Sequence, residues 1–408
     1  MATAARRSAA AQGARRTSRP GRSARTSVRP QAAPTALSPV ELAASGAALG
    51  AGLFLLNQLG DAGGSSGSGR AAGDTASVAA ASAEPASAAA APPARSKSSA
   101  GVRGVGTAES VGGRTEMEDT LDLRLEGRCG YLYAGVFDGH GGAASSEFLK
   151  LALYDAFSKA VDADERDAVS PVLPQNADGS LACPMALKAP LEDAFKATDR
   201  ELISYLSTLG EPECWSGSTA TAALVRSDRI TVANVGDSRA VLCRAARAMS
   251  LTTEHRPVES YRDGKREAER VREAGGWVDQ GRVCGILAVS RAFGDIDFKD
   301  ERAFLLEELR EGGARNAKDA TFEHPLVVPL PDVTEVARSP EDQFLLIATD
   351  GLWDCVSNEQ ACSRVRKELD KHGDVQKAAD ALVYTAVHSW RTQDNIAVCI
   401  IDLRPEAK

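Results

Sequence analysis

Three β-rich segments follow one another between Ser218 and Cys243, with only a few residues between them: Ser218–Val225, Ile230–Val235 and Ala240–Cys243. Connections this short cannot hold a crossover helix, so the neighbours must pair antiparallel, and Ser227-Asp228-Arg229 supplies a hairpin turn. Tyr131–Phe137 is a short apolar run stopped by Asp138-Gly139, and Phe344–Ala348 and Ile396–Ile401 are two more runs of the same kind. Ala143–Phe157 and Pro190–Leu209 are helical in composition. Val375, Ala379, Leu382, Val383, Ala386, Val387 and Trp390 recur at helical spacing, which predicts a helix over Asp374–Trp390 with one face laid on a sheet. Strands in succession, with the helices grouped apart from them, predict an α+β chain of antiparallel sheets covered by helices rather than a doubly wound parallel sheet.

Charge divides the chain. Residues 1–100 carry 11 Lys/Arg against 4 Asp/Glu, whereas residues 101–408 carry 37 against 52. An acidic body is a poor partner for a phosphate backbone, which argues against nucleic acid, and it is compatible with cations. Residues 1–40 hold eight arginines and no acid among many Ala and Ser, the composition of an organelle transit peptide or of a basic tail. A plastid is the first expectation and a mitochondrion the second. Residues 41–60 follow as an apolar segment. Leu42–Leu59 is just long enough to span a bilayer, but its Ala and Gly content makes it weakly hydrophobic, so a membrane anchor and a soluble or cleaved segment both stand. Residues 61–100 are Gly, Ser, Ala and Pro with little else and read as a flexible linker, which leaves 101–408 as the folded body. The eight cysteines make no C-x-x-C pair and read as free thiols of a reducing compartment.

Carboxylates fall where apolar runs end. Glu118-Asp119 follows Arg114-Thr115-Glu116-Met117, and Asp138 closes one strand. Asp237 sits in Gly236-Asp237-Ser238 after another; Asp350 ends a third and Asp394 starts a fourth. Strand ends can bring such residues to one rim, where their mutual repulsion calls for a cation; oxygen donors favour magnesium or manganese. Taken singly, each Asp-Gly is an ordinary turn.

In this order the segments are far more specific. Arg114 to Asp119, Asp138 to Gly142, Gly217 to Ala220, Ala233 to Ala240, Glu254-His255-Arg256-Pro257, Ala274-Gly275-Gly276, Arg282 to Asp295, Asp350 to Asp354 and Asp394-Asn395 resemble the protein phosphatase 2C family. The resemblance implies two antiparallel sheets packed as a sandwich and flanked by helix pairs, with two magnesium or manganese ions at one end. It implies hydrolysis of phosphoserine and phosphothreonine on protein substrates, and a monomer is expected. By the same resemblance Asp138 bridges both ions and Gly139 adds its carbonyl. Asp350 and Asp394 hold one ion, Glu118 faces the other and Asp119 supports bound waters. Asp237 with Asp350 takes a weaker third ion. Arg114 grips the phosphate with a bidentate guanidinium, and His140 is the general acid for the leaving serine oxygen. Trp353 is expected only to pack in the core.

Glu254, Cys284 and Ala397 depart from the family's usual residues at positions implied to hold no ion. A charged insertion near 258–268 and an expansion over 299–324, with Leu305, Leu306 and Leu309 before Gly312-Gly313, are expected beside the site as substrate-selecting elements or as solvated loops. Hormone co-receptor members carry a tryptophan after Ala-Gly-Gly; here Trp277 follows at once, in a different place, which disfavours that role. A non-catalytic phosphoprotein binder is disfavoured by the intact acid set, and a nuclease by the acidic body.

Overall fold

The computed structural model describes residues 100–127, 130–167 and 187–405. The basic leader, the apolar segment with its anchor reading, and the linker as far as residue 99 lie outside the described residues. Ten strands form the body: β1 (Gly104–Ser110), β2 (Thr120–Arg124), β3 (Leu132–Phe137), β4 (Ala220–Val225), β5 (Arg229–Val235), β6 (Arg239–Arg244), β7 (Arg247–Ser250), β8 (Asp332–Ala337), β9 (Asp342–Ala348) and β10 (Ile396–Asp402). They pair as two antiparallel sheets, in the orders β1-β10-β9-β6-β7 and β8-β5-β4-β3-β2.

The apolar runs are continuous because these strands are covered on both faces. On β3, Leu132, Ala134 and Val136 point between the sheets while Tyr133 and Phe137 meet the helices. On β9, Leu345 and Ile347 point between the sheets and Phe344, Leu346 and Ala348 point outward; β10 alternates likewise, with Ala397, Cys399 and Ile401 inward and Ile396, Val398 and Ile400 outward. Each such leucine or isoleucine, fully buried, contributes about 1.5–3 kcal/mol by leaving water. Helices α1 (Ala144–Asp167) and α2 (Lys188–Leu206) cover the second sheet through Leu149, Leu153, Leu191 and Phe195.

Short helices elsewhere complete the set: α3 (Arg262–Glu273), α4 (Arg302–Glu311), α5 (Asp350–Trp353), α6 (Asn358–His372) and α7 (Val375–Thr385), the last continued by one π turn, Ala386–Trp390. Helices α6 and α7 cover the first sheet through Val365, Leu369, Ala379 and Leu382. Helix α6 opens on a capping box between Ser357 and Gln360 and closes on Gly373 in the left-handed region. The result is the four-layer α-β-β-α arrangement that the sequence predicts. Trp353 is buried and donates from Nε1 to Ala348 O at 2.8 Å, a packing role as expected. The six described cysteines are free. Among the described residues no helix is long and apolar enough to cross a membrane.

The two expansions fold. Residues 262–273 form α3 over the charged insertion, and its Glu267 is buried. Arg291 Nη2 lies 2.5 Å from Glu267 Oε1, Ser290 Oγ donates to Oε2 at 2.8 Å, and Arg270 Nε adds a contact at 3.2 Å. Burial alone would raise the Glu267 pKa, but the hydrogen bonds and charge of Arg291 overcome it and hold it at about 2. Losing one partner of a pair buried this deeply costs about 3–5 kcal/mol. The insertion is thus tied down by a buried ion pair rather than left as a solvated loop. Helix α4 ends at Gly312 as its sequence predicts, and buries Leu305 and Leu306 in a separate small core with Val271, Phe298 and Leu326. Trp277 packs on Phe322 of the second expansion at 5.8 Å between ring centroids.

Candidate active site

Antiparallel order places the ends of β3, β5 and β9 and the start of β10 at one rim. Asp138 follows β3, Asp237 lies in the tight turn between β5 and β6, Asp350 opens α5 after β9, and Asp394 precedes β10. One carboxylate oxygen from each of Asp138, Asp237 and Asp350 lies within 4.8 Å of the other two, the group of three among the described residues that could share a cation. The backbone fixes them. Asp350 N donates to Asp138 Oδ2 at 3.4 Å, Thr219 N donates to Asp138 O at 2.9 Å, and Thr219 Oγ1 lies 3.0 Å from Ser238 Oγ beside Asp237.

The loop before β2 carries the remaining residues. Arg114 Nη2 donates to Asp394 Oδ2 at 2.7 Å from a half-exposed position. Glu118 Oε1 accepts from Gly142 N at 2.6 Å. Asn395 locks this loop to the rim, its Oδ1 accepting from Glu118 N at 2.8 Å and its Nδ2 donating to Val111 O and Glu116 O at 2.9 Å each. Asp119 is buried behind them, and its Oδ2 has no hydrogen-bond partner.

Gly139-His140 pairs with Gly217-Ser218, which pairs in turn with Phe293-Gly294. This small sheet joins residues far apart in sequence. His140 Nε2 stands 2.8 and 3.0 Å from the two carboxylate oxygens of buried Asp295. A Cβ on Gly217 would collide with both the His140 ring and the Asp295 carboxylate, so glycine alone lets the pair meet. Asp295 itself has φ 51°, a left-handed conformation that aspartate tolerates better than most residues. Its position is braced by buried Asp199, which accepts from Gly294 N at 2.9 Å and from Lys299 Nζ at 2.7 and 2.8 Å.

Electrostatics follow from this crowding. The Asp138 pKa lies well above the ordinary carboxylate range, first through burial and then through the charges of Asp350, Asp119 and Asp237. Burial also lifts Asp119 to about 8, with Asp350 and Asp394 adding and a Thr349 hydrogen bond opposing, and it lifts Asp350 to about 7. Such a set cannot be fully ionised near neutral pH without added positive charge. One positive charge comes from the chain: Arg256 Nε lies 2.5 Å from Asp237 Oδ2, Nη2 lies 2.7 Å from Asp350 Oδ2, and Nη1 lies 3.0 Å from Asp354 Oδ1. The surplus acid, all hard oxygen donors, and the unpartnered Asp119 oxygen fit divalent cations. His140 would be lowered by burial, but the charge and hydrogen bond of Asp295, with Asp237 and Glu118, raise it overall and favour the imidazolium.

Sequence reasoning did not single out Arg256, Asp295 or Asn395. Each stands in a segment that carries the resemblance, but its partner lies 94, 155 or 277 positions away.

A carboxylate rim able to hold cations, next to a histidine paired with a buried aspartate at one end of a β-sandwich, fits the site of a metal-dependent hydrolase. The sequence model of protein phosphatase 2C matches residues 104–396. Protein phosphatase 2C 57 of Arabidopsis thaliana is 40% identical over 295 residues, 72% of this chain and 73% of that protein. A probable protein phosphatase 2C 59 of Oryza sativa subsp. japonica is 34% identical over 309 residues, 74% and 77% of the two chains. Among solved structures, serine-threonine phosphatase 2C from Toxoplasma gondii shares the fold at a TM-score of 0.56 and 23% identity, covering 73% of this chain and 94% of that one. The chain belongs to the protein phosphatase 2C family, the metal-dependent serine/threonine protein phosphatases.

Proposed function

We propose that the protein hydrolyses phosphoserine and phosphothreonine monoesters on other proteins with two magnesium or manganese ions and a histidine general acid. The observation that carries this reading is the convergence of Asp138, Asp237 and Asp350 within 4.8 Å, beside the His140–Asp295 pair. Asp138, Gly139, Asp350, Asp394 and Glu118 would hold the two ions, with Asp119 behind them, and Asp237 with Asp350 would hold a weaker third. When bound, these ions supply charge for the phosphoryl oxygens and make water a competent nucleophile near neutral pH.

The chain's own groups do the rest. Arg114, half exposed at the mouth, is free to turn its guanidinium from Asp394 to a phosphate and grip it with two parallel N–H donors. His140 Nε2–H donates to the Asp295 carboxylate, whose charge favours the imidazolium and leaves Nδ1–H to protonate the departing oxygen. The new P–O bond forms to water while the P–Oγ bond breaks, and the proton from His140 completes the seryl or threonyl hydroxyl. About 30% of the His140 side chain is exposed, enough for a substrate to reach it. With manganese or magnesium the full chain should release phosphate from phosphoserine and phosphothreonine peptides, and chelation should stop it. Undiminished release after exhaustive chelation would end this reading.

The basic residues 1–40 support delivery to a plastid, with residues 41–60 as a candidate anchor, 61–100 as a tether and 101–408 as the catalytic domain. A fluorescent fusion of residues 1–100 should collect in plastids of the native cell type; a uniform cytosolic signal would remove the leader assignment.

A further inference from the structure

Arg256 holds an unusual position for a residue next to a cation site. Its side chain is 26% exposed, and its guanidinium reaches three carboxylates at once: Asp237, Asp350 and Asp354. Two of these, Asp237 and Asp350, belong to the group whose oxygens converge for a cation. The guanidinium hydrogens therefore occupy lone pairs that a metal ion would need. Two positive charges cannot share those oxygens closely without repelling each other by several kcal/mol at the effective dielectric of a protein surface.

We propose that Arg256 is a tethered counter-cation that competes with the ion held by Asp237 and Asp350, and so sets the metal concentration at which that ion enters. The proposal rests on the reading that this rim binds divalent cations. While metal is scarce, the guanidinium neutralises part of a crowded acid cluster and keeps Asp237, Asp350 and Asp354 together. When metal arrives, the side chain has somewhere to go. Arg256 lines a cleft of about 740 Å³ whose other walls include Tyr261, Asp263 and Trp353, and Asp263 offers a new partner there, Glu254 being held by Arg239. The pairing is local in consequence but not in sequence, because the acids come from two other segments, the turn between β5 and β6 for Asp237 and α5 with its C-cap for Asp350 and Asp354.

The test is calorimetric titration of the full chain with manganese, together with thermal unfolding in chelator. Arg256→Met keeps the stem and removes the charge. It should tighten the weakest class of manganese sites roughly tenfold or more, the size of effect a cation in contact has on a carboxylate's affinity for a competing positive charge. It should also lower the melting temperature in chelator, and saturating manganese should restore it. Arg256→Lys keeps one charge but cannot span three carboxylates; it should tighten the same class less, and it serves where Arg256→Met does not fold. Unchanged or weaker manganese affinity in a folded variant overturns the proposal. A wild-type chain that binds no manganese overturns instead the metal reading on which it rests.

Discussion

Asp138→Asn leaves a folded protein with turnover reduced by roughly a thousandfold or more, the range expected when a preorganised charge is removed from the reacting centre. Asp138 follows β3 directly, so its backbone is fixed by a strand buried on both faces. Its carboxylate stands within 4.8 Å of oxygens from Asp237 and Asp350. The amide is nearly the same size and still accepts from Asp350 N, but it brings no negative charge to a site proposed to hold dications. Without metal the outcome reverses. Burial and three neighbouring carboxylates already push the Asp138 pKa up and favour its neutral form, so a neutral amide costs little there, and the metal-free variant should melt no lower than wild type. The wild type alone should then gain strongly in melting temperature from manganese. Asp237→Ala should lose less tight manganese binding, because Asp237 is assigned to the weaker ion. Near wild-type turnover of Asp138→Asn at saturating manganese, or equal losses of tight binding in both variants, would contradict these assignments.

The central strands were legible because burial on both faces writes itself as an unbroken apolar run. Leu132–Phe137, Ala220–Val225, Phe344–Ala348 and Ile396–Ile401 all read this way. Edge strands were not legible. On β1, Gly104–Ser110 is glycine-rich and mostly half-buried, and on β8, Asp332–Ala337 mixes acids with small apolar residues; neither has a pattern distinct from a loop. Helix α6 buries Ala361, Cys362, Val365 and Leu369 between charged neighbours, and that interrupted stripe was not singled out in the sequence. The acid positions were readable for a local reason, since each adjoins a strand. Their partners were not. Whether Arg256 meets Asp350, or His140 meets Asp295, depends on how separate strands and loops align in space. Glu267 shows the converse error of a local view: a residue in a charged stretch reads as solvated until Arg291, 24 positions later, folds over it.

His140→Ala separates a catalytic acid from a residue that merely supports the site, because two leaving groups ask different things of it. Phosphoserine departs as an alkoxide that needs a proton in the transition state, whereas an aryl phosphate departs as a phenolate that needs little. The proposed role gives His140 the first task. Its ring is held by Asp295 at 2.8 and 3.0 Å, its pKa is raised despite burial, and part of it stays open to substrate. The variant should therefore hydrolyse phosphoserine and phosphothreonine peptides more slowly by roughly two or more powers of ten, within the usual reach of general acid catalysis. Aryl phosphate hydrolysis should suffer much less. A supporting role makes the opposite pattern. Loss of the ring would loosen the small sheet that carries Gly139, lower metal occupancy, and depress both substrates alike in a way that added manganese restores. Measuring both substrates across manganese concentration decides between them, and equal losses rescued by manganese would remove His140 from the chemistry.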